Sequence, residues 1–191
     1  MKIILVRHGE TEANYNGIMQ GQMLNYSLND RGVRQAQALK NKLKDTKIDI
    51  CFTSPLARAW QTAMILVGDR VEIKEDKRLI ERYLGEYEGS IKENYDPKKY
   101  WDYFLNSHDG DVESIQALIL RSKDFLEEIY EKYKDSTVLV VSHSAIIRAL
   151  HHLIKNTDFH KDLMNFKIEN CYCKEYEFRN GEHTFSNTWT D

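Results

Sequence analysis

Lys2-Ile3-Ile4-Leu5-Val6-Arg7-His8-Gly9-Glu10-Thr11 decides the class of this chain. Consecutive branched apolar residues leave no polar face, so the run suits a strand covered on both sides, as in a parallel sheet. The switch to Arg-His-Gly marks the strand's carboxyl end, where open α/β sheets hold their ligands. Two more stretches repeat the pattern. Residues 48–52 (IDICF) lead into Thr53-Ser54-Pro55-Leu56-Ala57-Arg58, and residues 137–141 (TVLVV) lead into Ser142-His143-Ser144. Residues 71–74 form a weaker strand candidate.

Helical periodicity fills the intervals. Val33, Ala36, Leu39 and Leu43 mark one helix, with Asn29 placed to cap it. Ser54-Pro55 reads as a capping hydroxyl followed by proline at the first helical position, which predicts a helix from there to about Val67. Ile115, Leu118, Phe125, Ile129 and Tyr133 share one face of a helix over about 111–134, and another covers about 144–154. Residues 171–178 and 183–188 read as a hairpin around Asn180-Gly181. Together these predict an α/β fold: a mostly parallel open sheet with helices on both faces and a C-terminal antiparallel hairpin. The aromatic-rich residues 83–110 fit neither pattern and read as a lid-like excursion over the sheet.

The chain has 191 residues, 41% hydrophobic and 30% charged, with 2 prolines. At roughly 150 residues per domain it is expected to form a single domain, 1–191. It is large enough to bury a core without disulfides or metal. A net charge of −3 argues against nucleic acid as partner, because phosphate-backbone binding calls for a basic surface. It leaves open a small anion, which responds to the local field of a cleft. Cys51, Cys171 and Cys173 lack metal-ligand spacing and read as reduced thiols of a cytoplasmic protein. The N-terminal apolar run is too short for a signal peptide or a membrane span.

If the three clear strands are parallel, their ends deliver Arg7, His8, Arg58 and His143 to one edge. Two guanidinium forks, a protonated histidine and exposed helix N-terminal amides match a phosphate ester dianion. Gly9 lets backbone approach a ligand closely. A second, neutral histidine is a competent nucleophile near pH 7. Walker loop, serine nucleophile elbow, HExxH and CxxC are all absent from the sequence.

The pentapeptide Arg7-His8-Gly9-Glu10-Thr11 resembles the signature of the histidine phosphatase superfamily, the phosphoglycerate mutase-like proteins. The resemblance continues through Asn14, Gly21 and Leu28 to Gly32. It extends through Ser54-Pro55-Leu56-Ala57-Arg58-Ala59 with Gln61-Thr62-Ala63, the block LIERYLGEYEG at 79–89, and Val140-Val141-Ser142-His143. It implies His8 as the nucleophile that forms a phosphohistidine, and Arg7, Arg58, His143 and Asn14 as phosphoryl ligands. It also implies Glu81 as the proton donor to the leaving oxygen. No metal or other cofactor is implied, since guanidinium groups and an imidazolium take the place of Mg²⁺. Ala13 stands where an aromatic residue is common, Asn25 and Ser27 where Asp and Pro are frequent, and Ser144 where Gly is usual. Gly21, Glu10 and Ser144 are further pocket candidates, Ser144 adding a hydroxyl near the phosphate.

Plainer readings compete at several positions. Glu81 sits among Glu75, Asp76, Glu86 and Glu88, which fit one solvated acidic face, and Glu10 rivals it as the acid. Asn14 fits a turn cap, and the aromatics of 83–104 fit packing as well as a substrate platform. His151 and His152, with His160 nearby, read as structural, because adjacent helical side chains do not face each other. The implied activity is a metal-independent phosphomonoester hydrolase acting on a small phosphorylated metabolite. The alternatives are a phosphoglycerate mutase and a non-catalytic phosphate-binding module. The residues after Arg82 carry no arginine until Arg121, which disfavours the mutase. Natural substrate and oligomeric state are not legible.

Overall fold

The computed structural model describes residues 1–91, 94–157, 163–164 and 167–178. Five strands form one sheet: β1 (Lys2–Arg7), β2 (Ile50–Thr53), β3 (Ile73–Glu75), β4 (Thr137–Ser142) and β5 (Cys173–Glu177), in the order β3-β2-β4-β1-β5. β1 pairs in parallel with β4, β4 with β2 and β2 with β3, while β5 runs antiparallel to β1. The helices are α1 (Glu12–Tyr15), α2 (Asp30–Lys42), α3 (Ala57–Val67), α4 (Pro97–Tyr100), α5 (Ile115–Lys132) and α6 (Ser144–Lys155).

Side-chain alternation along the strands divides the core in two. Ile3, Leu5, Phe52, Val138 and Val140 pack with α5 and α6, using Ile115, Leu118, Phe125, Ile146 and Leu150. Ile4, Val6, Cys51, Leu139 and Val141 point the other way, against Leu39 of α2 and Ala59, Ala63 and Leu66 of α3. The uninterrupted apolar runs are therefore strands buried on both faces. This is the expected mostly parallel sheet with helices on both sides, and β5 supplies its antiparallel edge. The second half of the expected hairpin, 183–188, and His160 lie outside the described residues. Among the described residues no helix is long and apolar enough to cross a membrane.

Two helix starts differ from the sequence reading. α3 begins at Ala57 with Leu56 as N-cap and no capping side chain. The Ser54 hydroxyl is engaged elsewhere, bonded to His143 and accepting from Leu56 N. α5 starts at Ile115 rather than near 111, because Gly110 and Asp111 adopt left-handed φ of 65° and 61°. Ser114 then caps the helix, its side chain accepting from Ala117 N.

Candidate active site

Strand register assembles the floor. Arg7 pairs with Ser142 and Thr53 with Val141, so the next residues on each strand, His8, His143 and Ser54, emerge along one edge. The backbone continues the ladder there, His8 N donating to Ser142 O at 3.0 Å and Ser54 N to Val141 O at 3.1 Å. Gly9 allows the exit of β1 to graze α2: a Cβ on Gly9 would stand 2.6 Å from Gly32 O. Gly9 N donates to the Thr62 hydroxyl (3.0 Å), which donates in turn to Arg58 O (2.7 Å). The loop bearing the histidine is thus tied to both neighbouring helices.

His8 is buried, with Nδ1 2.7 Å from Gly9 O. A carbonyl only accepts, so Nδ1 carries the hydrogen and Nε2 keeps its lone pair. Burial, then the charges of Arg7 and Arg58, hold the His8 pKa well below 6.5. At neutral pH the ring is uncharged, with the Nε2 lone pair available. The His143 ring centre lies 5.1 Å away, with Nε2 2.8 Å from Ser54 Oγ and Nδ1 buried without a hydrogen-bond partner among the described residues. Burial, followed by Arg58, His8 and Arg7, also holds His143 well below 6.5. Among the pocket's own charges His143 is held neutral, and a bound dianion would favour the protonated ring expected from the sequence.

The arginines supply the positive charge. Arg7 donates through Nη1 to Ile168 O at 2.7 Å, and its buried Nε has no hydrogen-bond partner among the described residues. Arg58 donates to Gly21 O (2.9 Å) and Leu24 O (3.2 Å), with Nε likewise unpartnered among the described residues. Burial lowers the Arg58 pKa to about 10, which leaves it charged at neutral pH. Gly21 therefore serves as a backbone acceptor behind the pocket and does not line the cavity. Its loop is held by Glu88, whose carboxylate accepts from Gln22 N (2.8 Å), Met23 N (2.8 Å) and Leu24 N (3.3 Å). A Cβ on Gly21 would strike Glu88 Oε1 at 2.1 Å.

Glu81 reaches the cavity from the segment after β3. Its Oε1 accepts from Arg82 N (2.8 Å) and Ala145 N (3.2 Å), so a proton on this carboxyl belongs on Oε2. Burial raises its pKa above the usual carboxylate value of 4.5, against the opposing pull of those amides and of Arg58 and Arg7. The segment that carries it is stapled by Arg121, which donates to Arg78 O (2.6 Å), Ile80 O (2.7 Å) and Glu81 O (3.3 Å). Arg121 is itself held by a two-pronged pair with Glu113, at 2.6 and 2.8 Å. Ser142 Oγ adds a bond to Leu79 O at 2.7 Å. Arg121 and Glu113 carry no local sequence signal. Only the long-range packing of α5 against the segment reveals them.

Arg7, His8, Glu10, Asn14, Glu81 and Ser144 line one cavity of about 870 Å³, with Arg58 and His143 fully buried behind it. Glu10 is committed to α2, accepting from Asn29 Nδ2 at 3.1 Å and pairing with Arg31 at 3.1 Å. It is a weaker acid candidate than Glu81 for that reason. Asn14 does cap a turn, reciprocally with Thr11, while also facing the cavity. The aromatics of 83–104 divide between the two readings: Tyr100 is buried and stacked 4.9 Å from Tyr95, whereas Tyr95 and Trp101 line the cavity. Arg82 and Arg148 line it too, their guanidinium carbons 5.2 and 5.5 Å from the Trp101 ring centre. The excursion closes on itself at its base, where Glu113 N donates to Tyr83 O at 2.9 Å and Gly85 (φ 51°) abuts Gly110 O.

Comparison with known proteins agrees with this geometry. The family described as histidine phosphatase superfamily (branch 1) matches residues 3–190. Phosphoserine phosphatase 1 of Hydrogenobacter thermophilus is 33% identical over 84% of this chain and 79% of its own. Phosphoglycerate mutase-like protein 4 of Arabidopsis thaliana is 35% identical over 78% of this chain and 69% of its own. Among solved structures, phosphoserine phosphatase from Entamoeba histolytica, in complex with 3-phosphoglyceric acid, superposes with a TM-score of 0.80 at 30% identity, covering 94% of this chain and 92% of that one.

Proposed function

The chain belongs to the histidine phosphatase superfamily, and on that premise we propose that it is a metal-independent phosphomonoester hydrolase working through a phosphohistidine on a small phosphorylated metabolite. The single observation that carries this reading is the bond from His8 Nδ1 to Gly9 O, which fixes the tautomer with a nucleophilic Nε2. Arg7, Arg58 and Asn14 would hold the phosphoryl oxygens, with His143 gaining a proton as the dianion binds. His8 Nε2 would attack phosphorus while Glu81 Oε2 gives its proton to the departing alkoxide. The products of this half are the alcohol and Nε2-phosphohistidine. Water would then attack phosphorus, losing its proton to Glu81 as the P–N bond breaks, and inorganic phosphate leaves. The buried guanidinium charges do the electrostatic work at the equatorial oxygens.

The relatives named phosphatases support hydrolysis as the outcome. The cavity is far larger than a phosphoryl group, which supports a role for residues 83–110 as the variable wall that selects the ester. The reduced-thiol composition supports a cytoplasmic enzyme. Hydrolysis of p-nitrophenyl phosphate in EDTA tests the proposal. Wild type should turn over, and His8→Ala should fall by roughly 10⁴-fold or more, the scale seen when a nucleophile is removed. Activity that needs added metal, or that survives in His8→Ala, would refute the reading.

A further inference from the structure

The orientation of Asn14 is set by three donors. Thr11 N (3.3 Å), Thr11 Oγ1 (3.2 Å) and Asn170 Nδ2 (3.1 Å) all converge on Asn14 Oδ1. The Thr11 hydroxyl already accepts from Asn14 N (3.2 Å) and Gln20 Nε2 (2.8 Å), so its hydrogen is left for Asn14 Oδ1. The amide of Asn170 is fixed independently, because the same Nδ2 reaches the His8 carbonyl at 3.2 Å. With its oxygen end so occupied, Asn14 keeps a free Nδ2, which makes no hydrogen bond among the described residues, and the residue lines the cavity.

The reciprocal bonds between Thr11 and Asn14 are what a helix cap requires. The bond from Asn170, 156 residues further along the chain, is not needed for that. The turn that presents Asn170 is closed by Tyr172 N to Glu169 O (3.0 Å) and holds Cys171 at φ 55°, a left-handed conformation that non-glycine residues seldom adopt. Cys171 N also donates to His8 O at 3.2 Å, so this carbonyl has a second donor when Asn170 is altered.

We infer that Asn170 is a positioning residue for phosphoryl binding: it clasps Asn14 Oδ1 and the His8 carbonyl with one amide group and so aims Asn14 Nδ2 into the cavity as a fixed donor. The inference rests on the proposed hydrolase reading and assigns Asn170 no contact with substrate.

The test is a double-mutant cycle over wild type, Asn14→Ala, Asn170→Ala and the pair, with Asn170→Asp as an isosteric variant that cannot donate. Two quantities are read: the affinity for inorganic phosphate by calorimetry, and kcat and KM for p-nitrophenyl phosphate. Asn170→Ala should weaken phosphate about tenfold, the scale of one misplaced hydrogen bond to a charged group. KM should rise by more than kcat falls. Asn170→Asp should lose more, because a carboxylate repels Asn14 Oδ1 and turns the amide over. On the Asn14→Ala background, Asn170→Ala should change phosphate affinity by less than about twofold. Wild-type affinity in both Asn170 variants, or an undiminished loss on the Asn14→Ala background, would overturn the inference. If thermal unfolding shows that Asn170→Ala does not fold, Asn170→Asp against wild type decides. A wild type that binds phosphate with the expected Asn170 effect but hydrolyses no ester would fail the hydrolase reading alone, whereas one that binds no phosphate would fail both.

Discussion

The floor of the cavity and its far wall are built by different physics. On the floor, Arg7 is paired in the ladder and His8, Ser54 and His143 each follow a paired residue by one step, so strand register places all four. On the wall, Glu81 sits on an irregular segment and Asn14 on the single-turn helix α1, and both are held by side chains from distant parts of the chain, Arg121 with Glu113 and Asn170. Backbone ladders fix His8 cheaply and rigidly, and Glu81 depends on a few charge-assisted bonds. Damage to the floor should therefore abolish chemistry outright, whereas damage to the wall should be graded and dependent on the leaving group.

The largest wall effect belongs to Glu81 itself. Glu81→Gln cannot donate a proton, so hydrolysis of an alkyl phosphate should fall about 10²–10⁴-fold. p-Nitrophenyl phosphate, whose leaving group needs little protonation, should lose far less. Equal losses on both esters would remove Glu81 from the role of acid. The pH profile sharpens the same point. The proposed mechanism needs His8 neutral and Glu81 protonated. The His8 pKa lies well below 6.5 and that of Glu81 above 4.5. The rate should therefore hold as pH drops past 6.5 and decline as pH rises through the raised Glu81 value, giving an acidic optimum. The decline on the basic side should vanish in Glu81→Gln.

Arg121→Met comes next. It removes the guanidinium donor from the Arg78, Ile80 and Glu81 carbonyls and from Glu113, of which Glu81 O keeps Gln22 Nε2 and Glu113 keeps Tyr83 N, which should cost about 1–3 kcal/mol of stability and lower turnover of alkyl phosphates about 10–100-fold. p-Nitrophenyl phosphate turnover should move less, since the floor is intact. A change confined to unfolding temperature would show that the staple supports the fold without placing the acid.

The smallest effect is one of linkage. His8 and His143 resist protonation when folded, so below pH 6.5 the unfolded chain binds protons that the folded one does not. Stability contributed by keeping them neutral is complete above 6.5 and is lost as pH falls below it. His8→Ala should recover about 1 kcal/mol of the stability that wild type loses between pH 7 and pH 5.5. Denaturant titrations at the two pH values check this, and an identical loss in both proteins would mean that His8 is not held neutral.

The same contrast explains what the sequence made legible. The floor could be read because apolar runs, strand ends and first-turn positions are local patterns, and register follows from them. The reading faltered at Ser54, where a hydroxyl with a capping signature is instead bonded to His143, a partner 89 residues away. It faltered again at 111–114, where left-handed backbone at Gly110 and Asp111 delays α5 to its Ser114 cap. The protonation state of His143 depends on burial and on neighbouring charges, neither of which has a sequence signature. Arg121, Glu113 and Asn170 were invisible for the same reason: each acts across the fold and not along the chain.

The central claim is that His8 Nε2 takes the phosphoryl group. Rapid quenching of wild type and Glu81→Gln with an alkyl phosphate in EDTA, followed by peptide mass spectrometry, tests it directly. The account predicts an acid-labile phosphoryl group on His8, assigned to Nε2, that forms and decays at rates compatible with turnover. Turnover with no phosphorylated His8, or with the phosphoryl group on another residue, would contradict it.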